Sequence, residues 1–179
     1  ALQGRLIWGG GLWDWTDPEG LIRAIGRLDD EAKEVVSIRF PGIRHPDQRV
    51  PKSSKIELVK KLSKTLDVKA SFSDSWSSRE DFNADLADAA IGVSLHKRGI
   101  ESKLSWRFRI LDYLWAGLPV ILSEGCPMAS LVERHGAGVV VPTEDLEACR
   151  SAIERLVFDR EFYLECLNSV SLLRKHFHW

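Results

Sequence analysis

The sequence predicts an α/β domain whose parallel sheet is covered by helices on both faces, and three observations carry that prediction. Short apolar runs of strand length alternate along the chain with helix-length segments, as parallel neighbours joined by crossovers require. The stretch Ser105–Ser123, SWRFRILDYLWAGLPVILS, reads as an amphipathic helix that stops at a glycine and feeds directly into a buried strand. With 179 residues and 44% hydrophobic content, the chain fits one domain, residues 1–179, with a sizeable core.

Taken in order, Arg5–Trp8 is a short strand that runs into Gly9-Gly10-Gly11. A helix follows, with Asp17 as N-cap and Pro18 at its first position. Val35–Phe40 is the next strand, and residues 41–54, rich in proline and charge without a clear period, form an exposed loop. Lys55–Leu66 is a helix carrying Ile56, Val59, Leu62 and Leu66 on one side, and Val68–Phe72 is a strand. Helix Ser78–Ala87 precedes strand Ala90–Leu95. In the helix after it, Ser105 is the expected N-cap, and Trp106, Ile110, Leu111, Leu114 and Trp115 recur at three- and four-residue intervals as its apolar side. Gly117 and Pro119 supply the stop. Gly138–Val141 is the last strand, and helices over Thr143–Phe158 and Arg160–Phe177 close the chain. Six strands of this kind make a Rossmann-like sheet, in which ligands bind beyond the carboxyl ends of the strands.

Charge and cysteine usage bound the function. Twenty-five basic and 26 acidic side chains give a net charge of -1, so no broad electrostatic case exists for a nucleic-acid or anionic-membrane partner, and phosphate binding has to be local. Cys126, Cys149 and Cys166 are widely spaced and form no C-x-x-C, which argues for core or surface thiols, no metal site and a reducing, cytoplasmic compartment. No apolar run approaches the roughly 20 residues of a membrane span, and no leader-like segment opens the chain. Because it opens at Ala1 and enters a strand at Arg5, the chain is expected to be one domain of a longer protein.

Three strand-end features are expected to meet at one crevice. Gly10 and Gly11 let backbone N–H groups approach an anion, though a tight turn before a tryptophan-rich loop explains them equally, and the spacing fails the G-x-G-x-x-G dinucleotide pattern. The loop from His96 to Ser105 carries Lys97, Arg98, Glu101 and Lys103 just ahead of a helix N-terminus, where the helix dipole favours negative charge. These cations could hold a diphosphate without a metal; a solvated polar loop is the plainer reading. His96 alone is more often a packing residue than a catalyst. Arg107 and Arg109, two residues apart, cannot face one ligand, and Arg107 is the better phosphate candidate. Asp112 can accept two hydrogen bonds from a ribose diol, or it can simply pair with Arg109 three residues earlier.

The flanking pattern weights Asp112. The segment LDYLWAGLPVILSEG resembles the donor-nucleotide-binding segment of family-4-type retaining glycosyltransferases, with Asp112 where the ribose-binding glutamate of E-A-M-A-x-G-x-P-V-I stands. The likeness continues through Glu124, Gly125, Leu131, Val132, Gly136 and Gly138 to Val141-Pro142. It departs from the family at the paired acid, where Leu104 stands, and in the first loop, where Asp14, Asp17 and Glu19 replace the usual lysine. The resemblance implies the C-terminal, donor-binding half of a two-domain GT-B enzyme that moves a sugar from a nucleotide sugar to a saccharide or lipid-linked acceptor. Retention of configuration, no metal and no further cofactor are implied with it, in a polysaccharide pathway. Its nucleotide-sugar site would draw on Gly10, Gly11, Lys97, Arg98, Glu101, Lys103, Ser105, Trp106, Arg107 and Asp112, with no catalytic residue named. The acceptor would sit on a missing N-terminal domain, through which any peripheral membrane contact would be made. The alternatives are a catalytically inactive nucleotide-binding or protein-interaction domain, with Trp13, Trp15, Trp76 and Trp179 as a partner surface, or a GT-B sugar-nucleotide epimerase.

Overall fold

The protein is described here by a computed structural model, over residues 4–43, 47, 53–73 and 77–177. The elements run β1 (Arg5–Ile7), α1 (Pro18–Gly26), α2 (Asp30–Val35), β2 (Ser37–Phe40), α3 (Lys55–Thr65), β3 (Ala70–Phe72), α4 (Arg79–Asp88), β4 (Ile91–Ser94), α5 (Ile100–Leu104), α6 (Phe108–Trp115), β5 (Val120–Ser123), α7 (Pro127–His135), β6 (Gly138–Val141), α8 (Leu146–Phe158) and α9 (Arg160–Leu173), with a 3-10 turn at Arg174–His176. All strand pairs are parallel, in the order β3-β2-β1-β4-β5-β6. That is a Rossmann-like α/β sheet.

The two-residue period of the strands divides the interior into two cores. Ile121 and Val93 face one layer with Leu6, Ile38 and the helices α1, α3 and α8. Val120 and Leu122, on the opposite pleat of β5, face the other with Ile7 and the helices α4, α6, α7 and α9. Full burial of each such side chain contributes about 1.5–3 kcal/mol.

Several expected boundaries move, each for a local reason. Val35 is the last residue of α2 and lies on the surface, because Asp29 accepts a hydrogen bond from the Ala32 amide and starts a one-turn helix, DEAKEV, ahead of the strand. Asp17 caps α1 as expected, its carboxylate accepting from the Gly20 amide at 3.0 Å. The largest change concerns Ser105. It closes α5, donating its amide to the Glu101 carbonyl, and the N-cap of α6 is Arg107, which makes no side-chain cap. Trp106 and Trp115 are 56% and 57% exposed, so the buried side of α6 is Ile110, Tyr113 and Leu114. Gly117 follows α6 at φ +81°, the left-handed conformation that glycine adopts without strain. Asp145 caps α8, which therefore begins at Leu146, later than expected.

Candidate functional site

The strand order reverses between β1 and β4, so the loops after these strands meet at the carboxyl edge of the sheet, where such folds take ligands. Here the two loops are laced together. The Asp17 amide donates to the Leu95 carbonyl and the Lys97 amide to the Trp15 carbonyl, both at 3.0 Å, and these two bonds make Thr16 and His96 an isolated antiparallel bridge. Asp17 and Glu19, two of the three acids of the first loop, are absorbed by the fold, while Asp14 is exposed. Asp17 caps α1, with burial raising its carboxyl above the usual range. Glu19 pairs with the buried Lys55 ammonium at 3.3 Å, and that ammonium also donates to the Thr16 carbonyl at 2.5 Å.

Beneath the lacing lies Arg107, 7% exposed. One of its Nη atoms donates to Ser94 Oγ at 3.3 Å, and its guanidinium lies 5.2 Å from the Trp15 ring. Nε and the second Nη are buried without a partner, and no carboxylate among the described residues is paired with it. Desolvation lowers its pKa, which expresses the same cost of burying a cation alone. His96 is its neighbour, 1% exposed, with Nδ1 against the Lys97 carbonyl at 3.0 Å and Nε2 buried and unpartnered. Burial holds the imidazole below its ordinary pKa, so the ring is neutral at pH 7; donation from Nδ1 leaves Nε2 as a bare acceptor.

Asp112 lies on α6 with both carboxylate oxygens taken. Oδ1 accepts from Arg79 at 3.2 Å and Oδ2 from Arg109 at 3.0 Å, and Arg109 also stacks over Phe82. The two arginines line a cavity of about 150 Å³ together with Gly9, Gly11, Gly42 and Ser78. Gly10 lies in the same loop, half-exposed. The residue that sequence reasoning missed is the next one, Tyr113. Its hydroxyl accepts from the Gly9 amide at 2.6 Å and donates to the Val93 carbonyl at 3.2 Å, and burial pushes the phenol well above its ordinary pKa. Room for the ring depends on Gly92, where a Cβ would stand 2.4 Å from the Tyr113 ring.

The other cations border a wider cavity of about 560 Å³, which Arg98 and Lys103 share with His96, Ser102, Glu124 and Thr143. Arg98 Nε donates to Thr143 Oγ1, and Glu124 accepts at the same threonine. Lys97 is half-buried, Glu101 exposed on α5, Ser105 half-buried at the end of α5, and Trp106 exposed beyond it. The residues expected to form one crevice thus divide between a small cavity beside Asp112 and a wide one beside Lys103, with Arg107 buried next to His96. Arg107 and Arg109 do face different groups. Trp15 covers Arg107, Trp13 sits in the same loop, and Trp76 and Trp179 lie outside the described residues. All three cysteines are free and buried. Among the described residues, no group of three or more His, Cys, Asp or Glu side chains is placed to hold a metal, and no helix is long and apolar enough to cross a membrane.

The fold, a parallel sheet in the order β3-β2-β1-β4-β5-β6 with helices on both faces, is similar to that of solved glycosyltransferase structures. Solved structures share it closely. WaaG, a glycosyltransferase involved in lipopolysaccharide biosynthesis, matches 98% of this chain over 42% of its own length, with TM-score 0.73 and 15% identity. HepE of Anabaena, in complex with UDP and glucose, matches 99% of this chain over 45% of its own, with TM-score 0.77 and 13% identity. The catalytic domain of the Helicobacter pylori cholesterol-α-glucosyltransferase matches 97% over 96%, with TM-score 0.74 and 15% identity. The chain therefore spans less than half the length of the first two. No protein-family model matches the sequence, and neither does any curated protein.

Proposed function

We propose that this chain is the donor-binding half of a two-domain glycosyltransferase of the GT-B type, holding a nucleotide sugar at the β1–β4 switch point. The observation that carries the reading is Arg107: a buried guanidinium with two unpartnered donor nitrogens and, among the described residues, no carboxylate is stabilised by an anion. A diphosphate supplies that anion, and the exposed cations Arg98 and Lys103 border a cavity that is also lined by His96, the neighbour of Arg107. Because Nε and Nη2 of Arg107 are sealed, a phosphate reaches them only when the loops that cover them open. In the reaction this domain would stabilise the leaving diphosphate electrostatically, without a metal and with retention at the sugar, while a second domain supplied the acceptor. Gly10 and Gly11, with Asp112 for the ribose, are assigned to the side of the small cavity, and Lys97, Glu101, Ser105 and Trp106 to the side of the wide one, so that a bound donor would span both.

Calorimetric titration of the chain with UDP, GDP, ADP and dTDP tests this. Weak saturable binding to at least one, surviving chelation, is expected, with no sugar transfer by this half alone. No saturable binding would remove the donor-site reading; transfer by this chain alone would remove the half-enzyme reading. One arrangement favours a second reading, a nucleotide-binding or interaction domain that has lost catalysis. Asp112 is already clamped by two arginines, and Leu104 occupies the place of the paired acid.

A further inference from the structure

The pairing of β1 with β4 is interrupted at the switch point by a side chain. Its register sets Leu6 beside Ile91 and Ile7 beside Gly92, so the next rung of the parallel ladder would run from the Gly9 amide to the Val93 carbonyl. The Tyr113 hydroxyl stands in that rung. It accepts from the Gly9 amide at 2.6 Å and donates to the Val93 carbonyl at 3.2 Å. A direct bond would bring that nitrogen and oxygen to about 2.9 Å; with a hydroxyl between them the two chains part. The wedge is firmly seated. Tyr113 is 1% exposed and its ring lies against Gly92, where a Cβ would overlap it. A Cβ at Gly9 would meet Phe82 at 2.8 Å and the Tyr113 hydroxyl at 3.2 Å, so glycine at both positions makes the room.

Past the wedge, the chain leaves its backbone donors unused. The amides of Gly10, Gly11 and Leu12 meet no acceptor among the described residues, although buried N–H groups are nearly always paired and Leu12 is 1% exposed. Consecutive free amides in a glycine turn make a concavity suited to an anion. Gly11 lines the small cavity beside Arg79 and Arg109, which adds positive charge to that concavity. Of the four amides from Gly9 to Leu12, Gly9 alone is answered among the described residues, and Tyr113 answers it.

We propose that Tyr113 is a positioning residue of the donor site: its hydroxyl parts β1 from β4 and thereby turns the amides of Gly10, Gly11 and Leu12 toward the diphosphate of a nucleotide sugar. The inference rests on the donor-binding reading given above. Tyr113 touches no ligand in this role and acts only through the loop. Asp112, its neighbour on α6, is the ribose contact, so two successive residues of one helix hold the ribose and phosphate positions in fixed relation.

Calorimetric titration of the wild type, Tyr113→Phe and Val170→Ala with UDP, GDP, ADP and dTDP, and with the nucleoside of each that binds, tests this. Val170, on α9, is buried in the same core as Tyr113. Both variants should lower the denaturant midpoint. Only Tyr113→Phe should weaken the diphosphate, by about tenfold, and it should leave the nucleoside unchanged. Should Tyr113→Phe not fold, amide exchange of the wild type gives a second readout: protection at Gly9 with and without the diphosphate, and at Gly10, Gly11 and Leu12 only with it. A wild type that binds none of the four diphosphates would remove the donor-site reading itself. An unchanged ratio of diphosphate to nucleoside affinity in Tyr113→Phe, an equal loss in Val170→Ala, or no gain of protection at Gly10, Gly11 and Leu12 with diphosphate bound would overturn this inference alone.

Discussion

The Tyr113 hydroxyl accepts the Gly9 amide hydrogen at 2.6 Å and passes its own to the Val93 carbonyl, which fixes the first loop to α6 and β4 through one buried oxygen. Removing that oxygen leaves a buried N–H without a partner. Tyr113→Phe should therefore destabilise the fold by about 1–3 kcal/mol, read as a shift of the denaturant midpoint. Gly92→Ala should cost more than Tyr113→Phe, since a methyl 2.4 Å from the ring displaces Tyr113 as a whole.

Arg107 is expected to trade stability for binding. Replacing a buried unpaired cation by an apolar side chain of similar length relieves a desolvation cost, so Arg107→Met should leave the denaturation midpoint unchanged or raise it. The same variant should lower affinity for a nucleoside diphosphate by about 1.5–3 kcal/mol, the range for hydrogen bonds to a charged group, and leave the nucleoside unaffected. A large loss of stability with unchanged affinity would assign Arg107 to structure alone.

Asp112 and Arg79 give a paired test of ribose binding. If a diol competes with Arg79 for Oδ1, Arg79→Ala should tighten nucleotide binding, and Asp112→Ala should weaken it by about 1.5–3 kcal/mol. A 2′,3′-dideoxy nucleotide should respond to neither. Calorimetry on the four combinations decides the matter, and equal effects on both ligands would leave Asp112 as an ion-pair partner only.

His96 sets a direction for pH dependence. Burial lowers its folded-state pKa below the ordinary value of 6.5, so the unfolded chain binds the proton first and stability falls as pH drops below 6.5 toward the folded value. Asp17 has the opposite sign, since its raised pKa favours the folded form as pH falls through its own, more acidic window. Denaturant midpoints measured downward from pH 7 should decline, and His96→Gln should flatten the upper part of that decline. An identical slope in the variant would mean the imidazole is not the group responsible.

What could be read from the sequence followed strong local rules. Asp17-Pro18 announced α1, Gly117-Pro119 announced the end of α6, and short apolar runs such as Val120–Leu122 gave the strands and hence the parallel sheet. The face of α6 could not be read this way. Phe108, Leu111 and Trp115 satisfy the same three- and four-residue spacing as Ile110 and Leu114, so periodicity alone does not say which set meets the sheet. Ser105 misled as an N-cap because the preceding α5 is a single turn too short to leave a period. Arg107 looks like Lys97 or Arg98 in the chain, and only the Trp15 ring above it and the Ser94 hydroxyl beside it mark it as interior. The Tyr113–Gly9 contact spans 104 positions, with no local signal at either end.

The lacing between the first loop and the segment after β4 makes those two segments one mechanical part. With Asp17 tied to Leu95 and Lys97 tied to Trp15, which sets Thr16 opposite His96, neither can swing aside without dragging the other. An opening that admits a ligand to Arg107 must then break both hydrogen bonds of the bridge in a single event, a latch and not a graded yielding. Its signature would be cooperative amide exchange at Asp17 and Lys97, rising and falling together as the latch is released or shut.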